Sequence, residues 1–184
     1  MINDDGRCYS FDSRGAGYGR AEGVATVILK RLDDAIRDGD PIRAVIRNTG
    51  TNSDGKTNGI LLPSSAAQQR LMQSTIKAAG INPLDVGYVE AHGTGTQAGD
   101  AAETGSISRT FSDDGKRDST LFVGSIKANI GHLEATSGLA GLIKTVLMLE
   151  KGLVAPVPNI VEMKEGLSLG SHIKVCADIY NSLG

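Results

Sequence analysis

Two short apolar runs in this chain each end in a glycine loop that carries a histidine. Gly87 to Ala91 leads into His92-Gly93-Thr94-Gly95-Thr96, and Leu121 to Ser125 leads into a loop holding Gly131 and His132. A short apolar run bounded by turn signals reads as a buried strand. In open α/β sheets, ligands gather beyond the carboxyl ends of the strands. The chain has only 3 histidines, and the remaining one, His172, lacks such a setting and is assigned to the surface. Two histidines in matching strand-end positions could therefore converge on one pocket.

The rest of the pattern agrees with α/β layering, because strands and helices alternate and the strands are apolar. Gly23 to Leu32 and Arg43 to Thr49 read as two further strands, with a short charged helix or turn from Asp33 to Asp40 between them. Ser65 and Gln68 have the spacing of a capping box, which predicts a helix start. Ala67, Leu71, Met72, Ile76 and Ala79 give that helix an apolar stripe, and Gly80 is placed to end it. A helix is also expected from about Asp100 to Phe111, and residues 112–119 read as a polar loop. Ser137 to Lys151 is apolar nearly all round, as in helices buried on both sides, and Gly152 caps it. Lys174 to Ala177 is a weaker strand candidate.

Composition narrows the function. Glycine supplies 24 of 184 residues, ~13% against a usual ~7%, yet no stretch is low-complexity. Glycines set among apolar runs mark tight turns and close backbone approach. The net charge of -2 argues against general nucleic-acid affinity, which needs a basic face. The longest apolar run falls short of the ~20 residues that span a bilayer, and no signal peptide is visible. Cys8 and Cys176 sit far apart without motif spacing, so neither a disulfide framework nor a metal site is expected. A reducing, cytoplasmic setting follows as the simplest expectation.

Several chemistries can be weighed residue by residue. His92 and His132 can converge on one pocket, or each can be a hydrogen-bonded loop residue without a chemical role. Lys127, five residues before His132, can bias the local field or stay a solvated loop lysine. Thr94 and Thr96 offer hydroxyls suited to an amide- or carbonyl-bearing substrate arm, though turn threonines often bond only their own backbone. Gly93, Gly95 and Ala98 fit the dinucleotide pattern G-x-G-x-x-A. The acidic residues at the right distance, Asp113 and Asp114, precede the next strand instead of ending it, which counts against that reading. Neither a P-loop nor a G-x-S-x-G elbow occurs. Cys8 lacks a setting that would lower its thiol pKa and reads as a semi-buried structural residue. Asp100 and Glu103 stand in the first turn of their helix, where the helix dipole alone accounts for them.

The two histidine segments, Val89-Glu90-Ala91-His92-Gly93-Thr94-Gly95-Thr96 and Gly124-Ser125-Ile126-Lys127-Ala128-Asn129-Ile130-Gly131-His132-Leu133-Glu134, closely resemble the histidine motifs of β-ketoacyl synthase domains. Residues 11–23, 52–60 and 137–152 support the likeness, which runs from about Asp5 to Ile160 and looks most like type I polyketide synthases of the fungal reducing kind. The resemblance implies a thiolase-like layered fold (αβαβα), present here only in part. It also implies decarboxylative Claisen condensation of an acyl thioester with a malonyl thioester on an acyl carrier protein. By motif, His92 and His132 would be the catalytic histidines, Lys127 would support the second, and Thr94 and Thr96 would touch the carrier's phosphopantetheine arm. No intrinsic cofactor or metal is implied. The remaining ketosynthase half and a dimer partner are the further expected associates.

Two departures shape the expectation. The family's nucleophile lies in a Thr-Ala-Cys-Ser-Ser-type motif, which does not occur here, and Cys8 does not align with it. Gly99-Asp100-Ala101-Ala102-Glu103 replaces the usual Asp-Pro-Ile-Glu, a change expected to be tolerated. The chain is therefore expected to be a C-terminal portion lacking most of the N-terminal half and inactive alone. Residues 1–62 would end the N-terminal half, 63–160 would form the C-terminal half, and 161–184 a divergent tail. The alternative is a catalytically dead remnant or a carrier-protein- or subunit-binding fragment. Exposed apolar surface and self-association are expected in either case.

Overall fold

The computed structural model describes residues 2–57, 59, 62–112 and 117–181. Asp113 and Asp114, and part of the 52–60 segment, lie outside the described residues.

Among the described residues, three parallel strands build the central sheet, in the order β1-β2-β4: β1 (Tyr88–Glu90), β2 (Leu121–Gly124) and β4 (Ile173–Val175). Val89, Val123 and Val175 stand in register across it. The middle strand, β2, alternates its side chains as a strand must. Leu121 and Val123, both 0% exposed, enter a core with Phe11, Ile107, Phe111, Val157 and Ile173. Full burial of side chains like these contributes about 1.5–3 kcal/mol each. Phe122 points the other way, onto a smaller cluster of Met148, Val154 and Cys176. Helix α3 (Gln97–Phe111) supplies the first face and α5 (Ser137–Lys151) the second. Helix α2 (Ser65–Ala79) packs on α3. A short antiparallel pair, β3 (Leu153–Val154) with β5 (Tyr180–Asn181), follows α5. Since β4 lies beyond residue 161, the expected tail contributes a strand to the main sheet.

The described structure departs from the sequence expectations in four places. Gly23 to Leu32 and Arg43 to Thr49 form no ladder with any described residue. Val24 and Ile28 stay 97% and 95% exposed, because the apolar partner that such a run needs is not supplied by the described residues. Between them, α1 (Leu32–Asp38) forms as expected and ends on Gly39 with φ +70°. Ser64, not Ser65, caps α2, its side chain accepting the Ala67 N–H. Ser65 instead donates to the Ala102 carbonyl of α3, and Gln68 accepts from Ser106, so both serve helix packing and no capping box forms. Helix α3 begins at Gln97, three residues earlier than Asp100, so both acids fall inside it.

Helix α5 is the fourth. Its buried residues are Ser137, Gly141, Lys144 and Met148, a single stripe facing the sheet, while Leu147 and Leu149 are exposed. The other side lines an apolar groove of about 570 Å³ with Val24, Ile130, Leu133, Ile143 and Val154. No helix among the described residues is long and apolar enough to cross a membrane.

Candidate functional site

Each histidine loop is held by its backbone before its side chain acts. In the first, the Glu103 carboxylate reaches back from α3 and accepts the N–H groups of His92 at 2.6 Å and Gly93 at 2.8 Å. Asp100, buried on the same helix, accepts the Gly95 N–H at 3.1 Å and the Phe11 N–H at 2.9 Å. Burial pushes both carboxyls up, and those N–H donors pull them back down. The dipole explanation for the two acids is therefore incomplete: they satisfy the loop's own donors. Gly93 and Gly95 have φ of +46° and +81°, and a Cβ on Gly93 would sit 2.6 Å from that of Ser125. Only glycine follows this path without strain. The same bonds rule out the dinucleotide reading, because the N–H groups that would cradle a pyrophosphate already face carboxylates.

The second loop is tied to the N-terminal segment. His132 donates its N–H to the Gly19 carbonyl at 2.7 Å and accepts the Ala21 N–H at 2.9 Å. Its ring lies 5.0 Å from that of Tyr18, between centroids. The Glu134 N–H donates to Nδ1 of His132 at 3.0 Å. A neutral ring must then carry its proton on Nε2, so His132 presents a donor there. Glu134 makes this bond from a left-handed conformation at φ +54°, and Phe11 beside the first loop is held at φ +64°. Such backbone costs on the order of 1–3 kcal/mol and concentrates at functional sites.

The two imidazoles meet edge to face, 5.3 Å apart at 86°. Ser125, fully buried, joins their loops by donating to the His92 carbonyl at 3.2 Å and accepting the Lys127 N–H at 3.4 Å. Lys127 opens the short helix α4 (Lys127–Ile130) and is buried, which removes the solvated-loop alternative of its two readings. Among the described residues its ammonium makes no hydrogen bond or ion pair within reach. Burial lowers its pKa, opposed by the fields of Glu103, Glu90 and Cys8. Lost hydration, then Lys127 and His132, push His92 down to about 4. His92 nevertheless keeps part of its surface in solvent, and the Lys127 charge acts on it beside the lost hydration. His132 is lowered by burial and Lys127 as well. Both rings are therefore neutral donors at neutral pH, beside a cation. Such donors stabilise charge developing on an oxygen by about 3 kcal/mol each.

Of the sequence candidates, the structure brings His92, His132 and Lys127 together. Thr94 is buried and pairs its hydroxyl with that of Thr96 at 3.3 Å, leaving half-buried Thr96 the more accessible. Cys8 is more buried than expected, at 4% exposure, and its sulfur is engaged on both sides by Gly19. Burial pushes this thiol up, away from nucleophilic character. His172 is half-buried and not on the surface, its carbonyl accepting the Leu121 N–H. Among the described residues no group of His, Cys, Asp or Glu could hold a metal ion. Sequence reasoning missed Glu103, Asp100, Ser125 and Glu134. Counting the unpaired N–H groups of a glycine loop against acids on the next helix would have found the first two.

Known proteins share this sequence and this fold. A family model described as the β-ketoacyl synthase C-terminal domain matches residues 43–161, and the N-terminal domain model matches residues 1–35. A highly reducing polyketide synthase of Aspergillus luteorubrus is 56% identical over 169 residues, covering 92% of this chain and 5% of the relative. One from Sordaria araneosa is 58% identical over 170 residues, covering 92% and 6%. Among solved structures, the oxazolomycin ketosynthase domain KS7 of Streptomyces albus superposes with a TM-score of 0.94 at 35% identity, over 100% of this chain and 33% of that one. The ketosynthase from module 6 of the Bacillus subtilis bacillaene synthase gives 0.93 at 35% identity, over 100% and 34%. The chain thus spans a small part of its curated relatives and about a third of the solved domains, with their thiolase-like α/β fold. Its sequence and its fold agree: the chain belongs to the β-ketoacyl synthase family.

Proposed function

We propose that this chain carries the enolate-stabilising part of a ketosynthase that condenses an acyl thioester with a malonyl thioester. The observation that carries the reading is the edge-to-face pair His92 and His132, with His132 held as an Nε2–H donor by the Glu134 N–H. When the malonyl carboxylate leaves as CO₂, the electron pair of the broken C–C bond moves onto the thioester oxygen. Neutral imidazole N–H groups stabilise that oxyanion, and the Lys127 charge both adds to the field and keeps the rings unprotonated. The enolate carbon then attacks the acyl carbonyl, the new C–C bond forms, and the acyl carbon–sulfur bond breaks to release a thiolate. The malonyl group would arrive on the phosphopantetheine arm of an acyl carrier protein, with Thr96, backed by Thr94, beside the arm. In a ketosynthase that carries these residues with its nucleophilic motif, His132→Ala should slow release of labelled CO₂ from malonyl-carrier protein by about 10²–10³-fold. Undiminished release would overturn the assignment.

A second reading is favoured by one observation. Cys8 is buried and engaged, and no Thr-Ala-Cys-Ser-Ser-type motif occurs, so the chain by itself would not be acylated and would be a catalytically dead remnant or a carrier-protein- or subunit-binding fragment. Intact-mass measurement after incubation with an acyl thioester should show no gain. Acylation at Cys8 or Cys176 would exclude this reading.

A further inference from the structure

We propose that Tyr88, Glu90 and Lys144 form a positioning clamp that sets the separation of the two histidine loops. Glu90 ends β1, two residues before His92. Its Oε1 accepts the Ile126 N–H at 2.6 Å, one residue before Lys127. Its Oε2 pairs with the Lys144 ammonium at 2.8 Å and also accepts the Tyr88 hydroxyl. Lys144 completes the triangle with a 2.8 Å bond to the Tyr88 oxygen. One carboxylate therefore joins the strand leading into the first loop, the turn leading into the second, and α5.

The clamp is buried. Side-chain exposure is 7% for Lys144 and 13% for Glu90. Gly141, one turn before Lys144, provides the room: a Cβ there would lie 3.0 Å from Cγ of Glu90. A buried ion pair is a poor device for stability, since apolar residues of equal volume often do as well or better. Apolar residues could not accept the Ile126 N–H or fix a direction between two loops, and that directional task explains charges on the inner stripe of α5. Glu90, Tyr88 and Lys144 are positioning residues: they act on His92 and Lys127 through the backbone, and are not assigned any contact with substrate.

Cross-relaxation between the His92 and His132 rings in the isotopically labelled 184-residue chain tests this, because it reports their separation without any reaction. Glu90→Gln keeps the shape and an oxygen for Ile126 but drops the charge that anchors Lys144, and Lys144→Met removes the other partner. Ile173→Val, a core trimming on β4, serves as the control. The inter-ring cross-peak should be lost in both clamp variants and retained in Ile173→Val at a comparable fall in Tm. Retention of the cross-peak in folded Glu90→Gln overturns the clamp, and so does its loss in Ile173→Val. If Lys144→Met fails to fold, Glu90→Gln decides alone. The inference rests on the proposed function for its purpose only. Undiminished CO₂ release in His132→Ala, with the cross-peak still lost in Glu90→Gln, would sink that function and leave the clamp standing.

Discussion

The sheet that carries the histidine loops and the segments 23–31 and 43–49 are written in the same apolar alphabet, yet they fare differently. On β2, Leu121 and Val123 are 0% exposed, paired on both sides and covered by α3. Along residues 23–31, Val24 and Ile28 face outward with no ladder partner among the described residues. The second segment is tied to α2, since the Asn48 side chain donates to the Thr75 carbonyl at 3.0 Å, but Val45 and Ile46 remain half exposed. A strand is thus a relation between two chain segments, and apolar periodicity reports only the willingness of one of them.

The comparison can be broken where the effect is largest. Leu121→Ala should cost about 2–5 kcal/mol by leaving a cavity between two strands and α3, measured by urea unfolding. A loss no larger than that at an exposed site would mean the sheet is not the core. Next comes Glu103→Ala, which strands the N–H groups of His92 and Gly93 at about 1–3 kcal/mol per unsatisfied group. Hydrogen exchange at those two amides should rise in the variant, and unchanged protection would show that another acceptor holds the loop.

Acidity sharpens the contrast further. His92 is depressed to about 4 in the folded chain, against ~6.5 when unfolded. An unfolded state that binds the proton more readily gains as pH falls. The His92 contribution should be full above about pH 6.5 and drain away as pH drops toward about 4. Asp100 and Glu103, raised by burial, act in the opposite sense. The difference in stability between the chain and His92→Gln isolates the histidine, and NMR titration reads its pKa directly. An imidazole titrating near 6.5 would remove the basis for a neutral ring enforced by Lys127.

The smallest effect on stability belongs to the outer segment. Ile28→Lys should change unfolding free energy by no more than about 0.5 kcal/mol, while reducing self-association seen by sedimentation velocity. A large destabilisation would show that residues 23–31 are packed in solution after all, and the two regions would no longer differ in kind.

Much of the site was legible beforehand. His92 and His132 stood out because a rare residue type recurred at strand ends, and the structure brings them together with Lys127, whose role the residue pattern left open. The helices over 65–79 and 137–151 followed from apolar period and glycine ends. What stayed hidden was whatever depends on a partner far along the chain. Ser65 looked like a cap, but its hydroxyl found the Ala102 carbonyl 37 residues away. Glu103 looked like an acid answering a helix dipole, but it holds the histidine loop.

The sequence by itself determined the family, the α/β alternation and the residue types at the site, because these depend on local pattern and on motif. Tertiary structure alone decided which apolar runs became paired strands and which face of α5 was buried. It alone set the His132 tautomer and made Glu90 and Lys144 partners across 54 residues. Those outcomes hang on hydrogen-bond partners and neighbouring charges brought close by folding, and a linear pattern holds no record of them.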